Sequence, residues 1–203
     1  RLPFFLDYYR RLGVRHFLMV DNGSSDGGVD YLRTQDDVSL WRTGASYRKA
    51  RFGMDWLGWL LMRHGHGHWC LTIDPDEFLV YPHCDSRPLN ALTDWLDGIG
   101  RRSFPAMLLD MYPRGAIEDQ PYAGGQDPFQ IARWFDPANY IISKNDYFAN
   151  LWIQGGPRTR AFFADDPPSG PALNKIPLVK WHWRYAYVSS THMLLPRWLN
   201  RVY

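Results

Sequence analysis

Three carboxylates fall within four residues in Leu71-Thr72-Ile73-Asp74-Pro75-Asp76-Glu77-Phe78, directly after an apolar run. Such crowding raises the cost of ionising all three unless a cation neutralises them. Hard oxygen donors of this kind suit Mg²⁺ or Mn²⁺, which in turn can hold the phosphates of a nucleotide. The same spacing also fits a solvated acidic turn, or Asp74 capping a helix. A second cluster, Val20-Asp21-Asn22-Gly23-Ser24-Ser25-Asp26-Gly27, again places an acidic residue after an apolar run. Its Gly and Ser residues let the backbone approach a ligand closely. It has neither a GKS/GKT ending nor GxGxxG, so it is not a standard phosphate loop. An aspartate there could accept hydrogen bonds from a ribose or a base, although Asn-Gly and Asp-Gly also form plain turns. His64-Gly-His66-Gly-His68 puts three imidazoles at alternate positions, but the intervening glycines favour a turn over a metal-binding strand.

These clusters need elements to position them. Apolar residues at 2, 5, 6, 8, 9 and 12 predict a helix over Leu2 to Leu12, stopped by Gly13. Val14 to Val20 reads as a buried strand, Val29 to Thr34 as a short helix and Val38 to Trp41 as another strand, the pattern of a βαβ unit. A helix is expected over Tyr47 to Arg63, a strand over Trp69 to Ile73, a helix over Leu89 to Ile99 and a strand over Ala106 to Met111. Beyond Pro113, Gly, Pro and Asp crowd residues 113 to 128 and 155 to 171, which predicts a loop-rich second half of the same domain.

The 203 residues, 45% hydrophobic and 22% charged, fit one globular domain and exclude overall disorder. A net charge of +2 is too balanced for a protein that wraps phosphate backbones, so no nucleic-acid partner is expected. The densest apolar stretch, Trp56 to Met62, is only seven residues, far short of the ~18 that span a bilayer. Cys70 and Cys84 stand 14 apart without ligand spacing, which suits reduced thiols in a cytoplasmic protein. Aromatics reach 16%, with 10 Trp, 12 Tyr and 11 Phe. Most of these are expected in the core, leaving Trp134, Trp152 and Trp183 as candidates to stack on sugar rings.

Taken together, DNGSSDG and, about fifty residues on, WCLTIDPDEFLV resemble the glycosyltransferases of GT-A fold, in particular the family 2-like branch with its D-x-D-E-F motif. The similarity covers roughly residues 1 to 100. Gly155-Gly156-Pro157-Arg158 and Asn174-Lys175-Ile176-Pro177-Leu178 are similar to that branch too, less distinctively. The resemblance implies an α/β, Rossmann-like, mostly parallel sheet flanked by helices, with a loop-rich C-terminal half. A nucleotide-sugar and metal half over residues 1–112 would precede an acceptor-side half over 113–203. Enzymes of this kind open with a strand ahead of the helix at residue 2. That strand is missing from this sequence, which therefore reads as a fragment of a longer chain, with a peripheral link to the inner membrane face left open through other parts.

The resemblance also implies an activity: moving a sugar from a nucleotide-sugar donor to a glycan or other hydroxyl acceptor, with Mn²⁺ or Mg²⁺. Asp21 would contact the base or ribose, in a pocket shaped by Asn22, Ser24 and Asp26. Asp74 would face the ribose or metal and Asp76 would bind the cation, completed by a C-terminal histidine. His192, in a Ser/Thr context suited to orienting an imidazole, is preferred to His182, which sits between tryptophans. Asp110 is the first candidate for the base that deprotonates the acceptor, because burial in an apolar strand would raise its pKa. Glu118, Asp119, Asp165 and Asp166 are further candidates, and Arg48 and Arg51 could face the diphosphate. A non-catalytic carbohydrate-binding module using exposed aromatics is the alternative. A nucleotidyltransferase is disfavoured, since DNGSSDG contains neither Arg nor Lys.

Overall fold

A computed structural model describes residues 1–202; Tyr203 lies outside them. Helix α1 (Leu2–Arg11) buries Phe5, Leu6 and Tyr9 on one face. It is tied to the start of the next strand pair by Arg10, whose Nε and Nη2 lie 2.8 and 2.6 Å from the Asp37 carboxylate. Strand β1 (Phe17–Asp21), helix α2 (Gly28–Arg33) and strand β2 (Val38–Arg42) form the expected βαβ unit. The two strands pair in parallel from Phe17↔Val38 to Asp21↔Arg42.

Helix α3 spans Met54–His64, not the whole of Tyr47 to Arg63. Arg51, Phe52 and Gly53 have φ of 50°, 56° and 84°, and three successive left-handed residues cannot continue a right-handed helix. Strand β3 (Trp69–Leu71) and helix α4 (Leu89–Gly98) lie where periodicity placed them, β3 being shorter. Strand β4 is Ser103–Met107, which leaves Asp110 outside it, ahead of β5 (Met111–Tyr112). There follow α5 (Pro128–Ile131), β6 (Trp134–Phe135), a hairpin of β7 (Tyr140–Asn145) with β8 (Asn150–Gly155), and α6 (Gly156–Phe162). Strand β9 (Asn174–Lys180), β10 (Ala186–Tyr187) and β11 (Leu194–Leu195) complete the chain's strands among the described residues.

The expected Rossmann-like, mostly parallel GT-A sheet does not form. Among the described residues, four two-stranded sheets and one three-stranded sheet, ordered β3-β9-β4, take its place. Among the described residues only β1–β2 is parallel; β9 runs antiparallel to both its neighbours. Strands β1 and β3 do not pair. Phe17, Leu18 and Met19 of one, and Trp69, Cys70 and Leu71 of the other, line an apolar cavity of about 680 Å³. No backbone ladder joins β1 to the larger sheet, whose central strand β9 is antiparallel to both neighbours.

Strand β9 carries the irregularity that matters most for the site. Phe104 pairs with Leu178 and Ala106 with Lys175, so three steps on β9 oppose two on β4. Pro177 lies within the bulge, where its missing N–H costs no ladder bond. Directly paired residues share a face. The extra residue therefore brings Lys175 to the face of Leu178, where plain alternation would have placed it beside Val179. Leu178 packs in one core cluster with α1 and α4, while Ile176 and Val179 pack in a second with Met54, Leu61 and Trp181. No helix among the described residues is long and apolar enough to cross a membrane.

Candidate functional site

The acidic loop after β3 is held from two sides. Thr72 N–H donates to Pro177 O at 2.8 Å, carrying the end of β3 onto the bulge. Within the loop, Glu77 N–H donates to Asp74 O at 3.0 Å, and Asp74 N–H donates to the Glu77 carboxylate at 3.2 Å. From helix α1, Tyr9 donates its hydroxyl to Glu77 O at 3.0 Å and accepts from Leu79 N–H at 2.8 Å. Tyr8 donates to Leu79 O at 2.8 Å. Burial pushes the Tyr8 phenol up to about 12 and Tyr9 higher still, so both remain protonated donors. Phe78 packs edge-on against Phe4 and Tyr8. Four aromatics, Phe4, Tyr8, Tyr9 and Phe78, therefore serve to fix this loop.

Asp74, Asp76 and Glu77 open onto a cleft of about 1070 Å³, which Asp110, Arg158, Lys175 and His192 also line. Lys175 comes up from the β9 bulge, its side chain only 10% exposed, and its ammonium pairs with Asp74 at 3.5 Å and with Glu77. Asp76 pairs with Arg1 at 3.3 Å. Arg158, on α6, donates from Nε and Nη2 to the two oxygens of Asp110 at 2.7 and 2.6 Å. Every carboxylate of the cleft thus has a protein cation beside it.

His192 shares an Nδ1 hydrogen bond with the carbonyl of Asn174. A carbonyl can only accept, so Nδ1 carries the proton and Nε2 keeps its lone pair. Burial lowers the imidazole pKa, and the nearby Lys175 and Arg158 charges act the same way against the Asn174 bond. The ring is oriented by this backbone carbonyl; the Ser190 hydroxyl accepts instead from the His192 backbone N–H at 3.4 Å. His182 is elsewhere, stacked on Trp183 with centroids 5.3 Å apart and 4.9 Å from His66. His64 contacts Trp41 and Trp59.

Among the described residues, no three His, Cys, Asp or Glu side chains are grouped to hold a metal. Asp74 and Asp76 are 65% and 60% exposed, and the space between Asp74 and Glu77 is taken by the Lys175 ammonium. As arranged, the donor set does not fit the expected Mn²⁺ or Mg²⁺ site of Asp74, Asp76 and His192.

The structure brings Asp74, Asp76, Asp110 and His192 to one cleft and leaves the first acidic loop outside its lining. Asp21 turns inward: its carboxylate accepts from Ser24 N–H at 3.0 Å, Gly23 N–H at 3.2 Å and Arg42 Nε at 3.2 Å. Asn22 donates to Thr43 O and Ala45 O, and Asp26 accepts from Gly28 N–H. The loop's polar groups thus build its turns and tie it to the end of β2 and the segment after it. Arg51 pairs with Asp55 and donates to Val188 O at 3.1 Å, also away from the cleft. Asp165, Asp166, Glu118 and Asp119 are exposed and do not line it.

Sequence reasoning passed over Lys175 and Arg158 as site residues, although both lie in the segments GGPR and NKIPL. An isolated cation in an otherwise apolar stretch such as Lys175-Ile176-Pro177-Leu178-Val179 was the available signal, because a buried ammonium demands carboxylate partners. In comparison with known proteins, the chain matches no protein-family model, no curated protein and no solved structure.

Proposed function

We propose that the cleft binds a nucleotide sugar and passes its sugar to a hydroxyl of a glycan or other acceptor. The observation that carries this reading is the shared cleft itself. Strand-end carboxylates suited to sugar and ribose hydroxyls face the same space as Arg158, a cation suited to phosphate, and as Asp110. Its volume of about 1070 Å³ accommodates a nucleotide sugar with room for an acceptor.

In this reading the acceptor oxygen bonds to the anomeric carbon as the bond from that carbon to the phosphate oxygen breaks. The acceptor proton passes to Asp110, and the nucleoside diphosphate departs with the electron pair. A phosphate entering the cleft competes with Asp110 for the Arg158 guanidinium, since each offers two oxygens to its planar fork. That exchange would free a carboxylate oxygen for the acceptor hydroxyl while Arg158 neutralises the leaving group.

The test is a thermal-shift screen of nucleoside diphosphates and nucleotide sugars. A bound donor raises the melting temperature in proportion to RT ln(1 + [L]/Kd). Asp110→Asn is expected to keep that shift and lose transfer to acceptor. If free oligosaccharide stabilises the chain while no nucleotide does, and Trp134→Ala or Trp183→Ala removes the effect, the chain is a carbohydrate-binding module instead. Both tryptophans are half exposed, as such a role needs.

A further inference from the structure

We propose that Lys175 is the resident cation of the cleft, standing between Asp74 and Glu77 where a divalent metal would otherwise be required. The acidic loop then presents its carboxylates without one. Lys175 is a positioning residue in this scheme: it acts by holding the two carboxylates.

Three features of the molecule lead there. The bulge at Pro177 turns Lys175 onto the cleft-side face of β9, opposite Ala106, and burial leaves its side chain only 10% exposed. The loop that meets it is fixed in place by Tyr8 and Tyr9 from α1, so Asp74 and Glu77 converge on a point already occupied by an ammonium. The remaining carboxylates, Asp76 and Asp110, have Arg1 and Arg158 as partners. A divalent ion entering between Asp74 and Glu77 would have to expel Lys175 and strand a buried positive charge beside itself, which both Coulomb repulsion and desolvation oppose. Removing the ammonium leaves the opposite problem, crowded carboxylates with no counter-charge, which a hard divalent cation relieves.

The glycosyl-transfer reading enters only through the ligand that this loop would meet; the metal behaviour can be measured without any nucleotide. Mn²⁺ alone is titrated into the wild-type chain, Lys175→Met and Lys175→Arg, and free Mn²⁺ is followed by electron paramagnetic resonance. The wild type and Lys175→Arg are expected to show no saturable binding up to about 1 mM. Lys175→Met is expected to bind at least about tenfold more tightly, and Glu77→Gln in that background should remove the gain. Should Lys175→Met fail to fold by circular dichroism, Lys175→Gln carries the same comparison. Saturable Mn²⁺ binding by the wild type that Asp76→Asn abolishes would overturn the proposal. So would a folded, uncharged Lys175 variant with no gain in Mn²⁺ affinity. A nucleotide screen with no hits counts against the glycosyl-transfer reading alone and leaves the outcome of this titration unchanged.

Discussion

Arg158 holds Asp110 by a two-pronged contact, with Nε and Nη2 at 2.7 and 2.6 Å from the two carboxylate oxygens. The pair joins the start of α6 to the connection between β4 and β5, two segments far apart in sequence that together form one wall of the cleft. Because the side chains are 44% and 22% exposed, solvent weakens the attraction. A double-mutant cycle of Asp110→Ala and Arg158→Ala is expected to give a coupling of about 0.5–1 kcal/mol. Urea denaturation of the four chains measures it. Arg158→Lys should lose most of that coupling, since an ammonium cannot make the fork.

Asp21 makes acid stability a readout of the first acidic loop. The Ser24 hydroxyl, followed by the Ser24 and Gly23 amides and Arg42, holds its carboxyl down to about 2, against an opposing effect of burial. A depressed folded-state pKa means the unfolded chain binds the proton first as pH drops. The stabilisation is therefore complete above about pH 5 and lost as the pH falls from the ordinary carboxyl value near 4 through about 2. Asp21→Asn should cost roughly 1–2 kcal/mol at pH 7 and almost nothing at pH 2. Equal losses at both pH values would show that the carboxylate charge is not what stabilises the turn.

Local signals made the first part of the chain legible. The i, i+3, i+4 apolar spacing of α1, the Gly13 stop and the short β1-α2-β2 unit all depend on residues close in sequence, and these elements form near where the pattern places them, β1 starting at Phe17 and not Val14. What could not be read depends on distant pairing. Strand β9 became the centre of the three-stranded sheet by joining β3 and β4 from about a hundred and about seventy residues away. Its bulge reverses the alternation that would have assigned Lys175 to the other face. The hairpin of β7 and β8 is similarly hidden, because most of β7, including Ile141 and Ile142, faces solvent and shows no amphipathic alternation. Of the site, the carboxylates of the DPDEF motif were visible as chemistry. Their cationic partners Lys175 and Arg158 became evident only once the chain folded around them.

His192 offers a direct check on the cleft's electrostatics. Burial, with Lys175 and Arg158 nearby, holds its pKa below the ordinary 6.5. Its folded-state pKa being lowered, the unfolded chain takes up the proton first, so the contribution to stability is complete above about pH 6.5 and declines as the pH falls through the folded value. In an NMR titration the His192 ring should change protonation below the ordinary 6.5. Lys175→Met should raise the His192 midpoint by removing one neighbouring charge. A midpoint at or above 6.5 in the wild type would mean that the imidazole does not sit in this cationic surround.

Tyr9 fixes the acidic loop through a single oxygen that donates to Glu77 O and accepts from Leu79 N–H. Tyr9→Phe keeps the ring packing but leaves a buried N–H without its partner, which costs about 1–3 kcal/mol. Thermal melting should show that loss. Hydrogen exchange at Leu79 should also speed up by more than at β1, whose ladder does not involve Tyr9.

Gly155 sets the direction in which α6 leaves the β7–β8 hairpin, and so where Arg158 stands. Its φ is 133°, and a Cβ there would lie 2.1 Å from Asn139 O and 2.8 Å from Tyr140 Cα, both backbone atoms that cannot rotate away. Gly155→Ala must therefore shift the end of the hairpin, at a cost of roughly 2–4 kcal/mol. Gly44 has open space around it and no left-handed φ, so Gly44→Ala should stay within about 0.5 kcal/mol of wild type. Melting curves compare the two. A structural change that also moves α6 should weaken the Arg158–Asp110 coupling measured by the double-mutant cycle, whereas one confined to the hairpin would leave that coupling intact. Repeating the cycle in the Gly155→Ala background therefore separates a turn that only holds the hairpin together from one that aims Arg158 into the cleft.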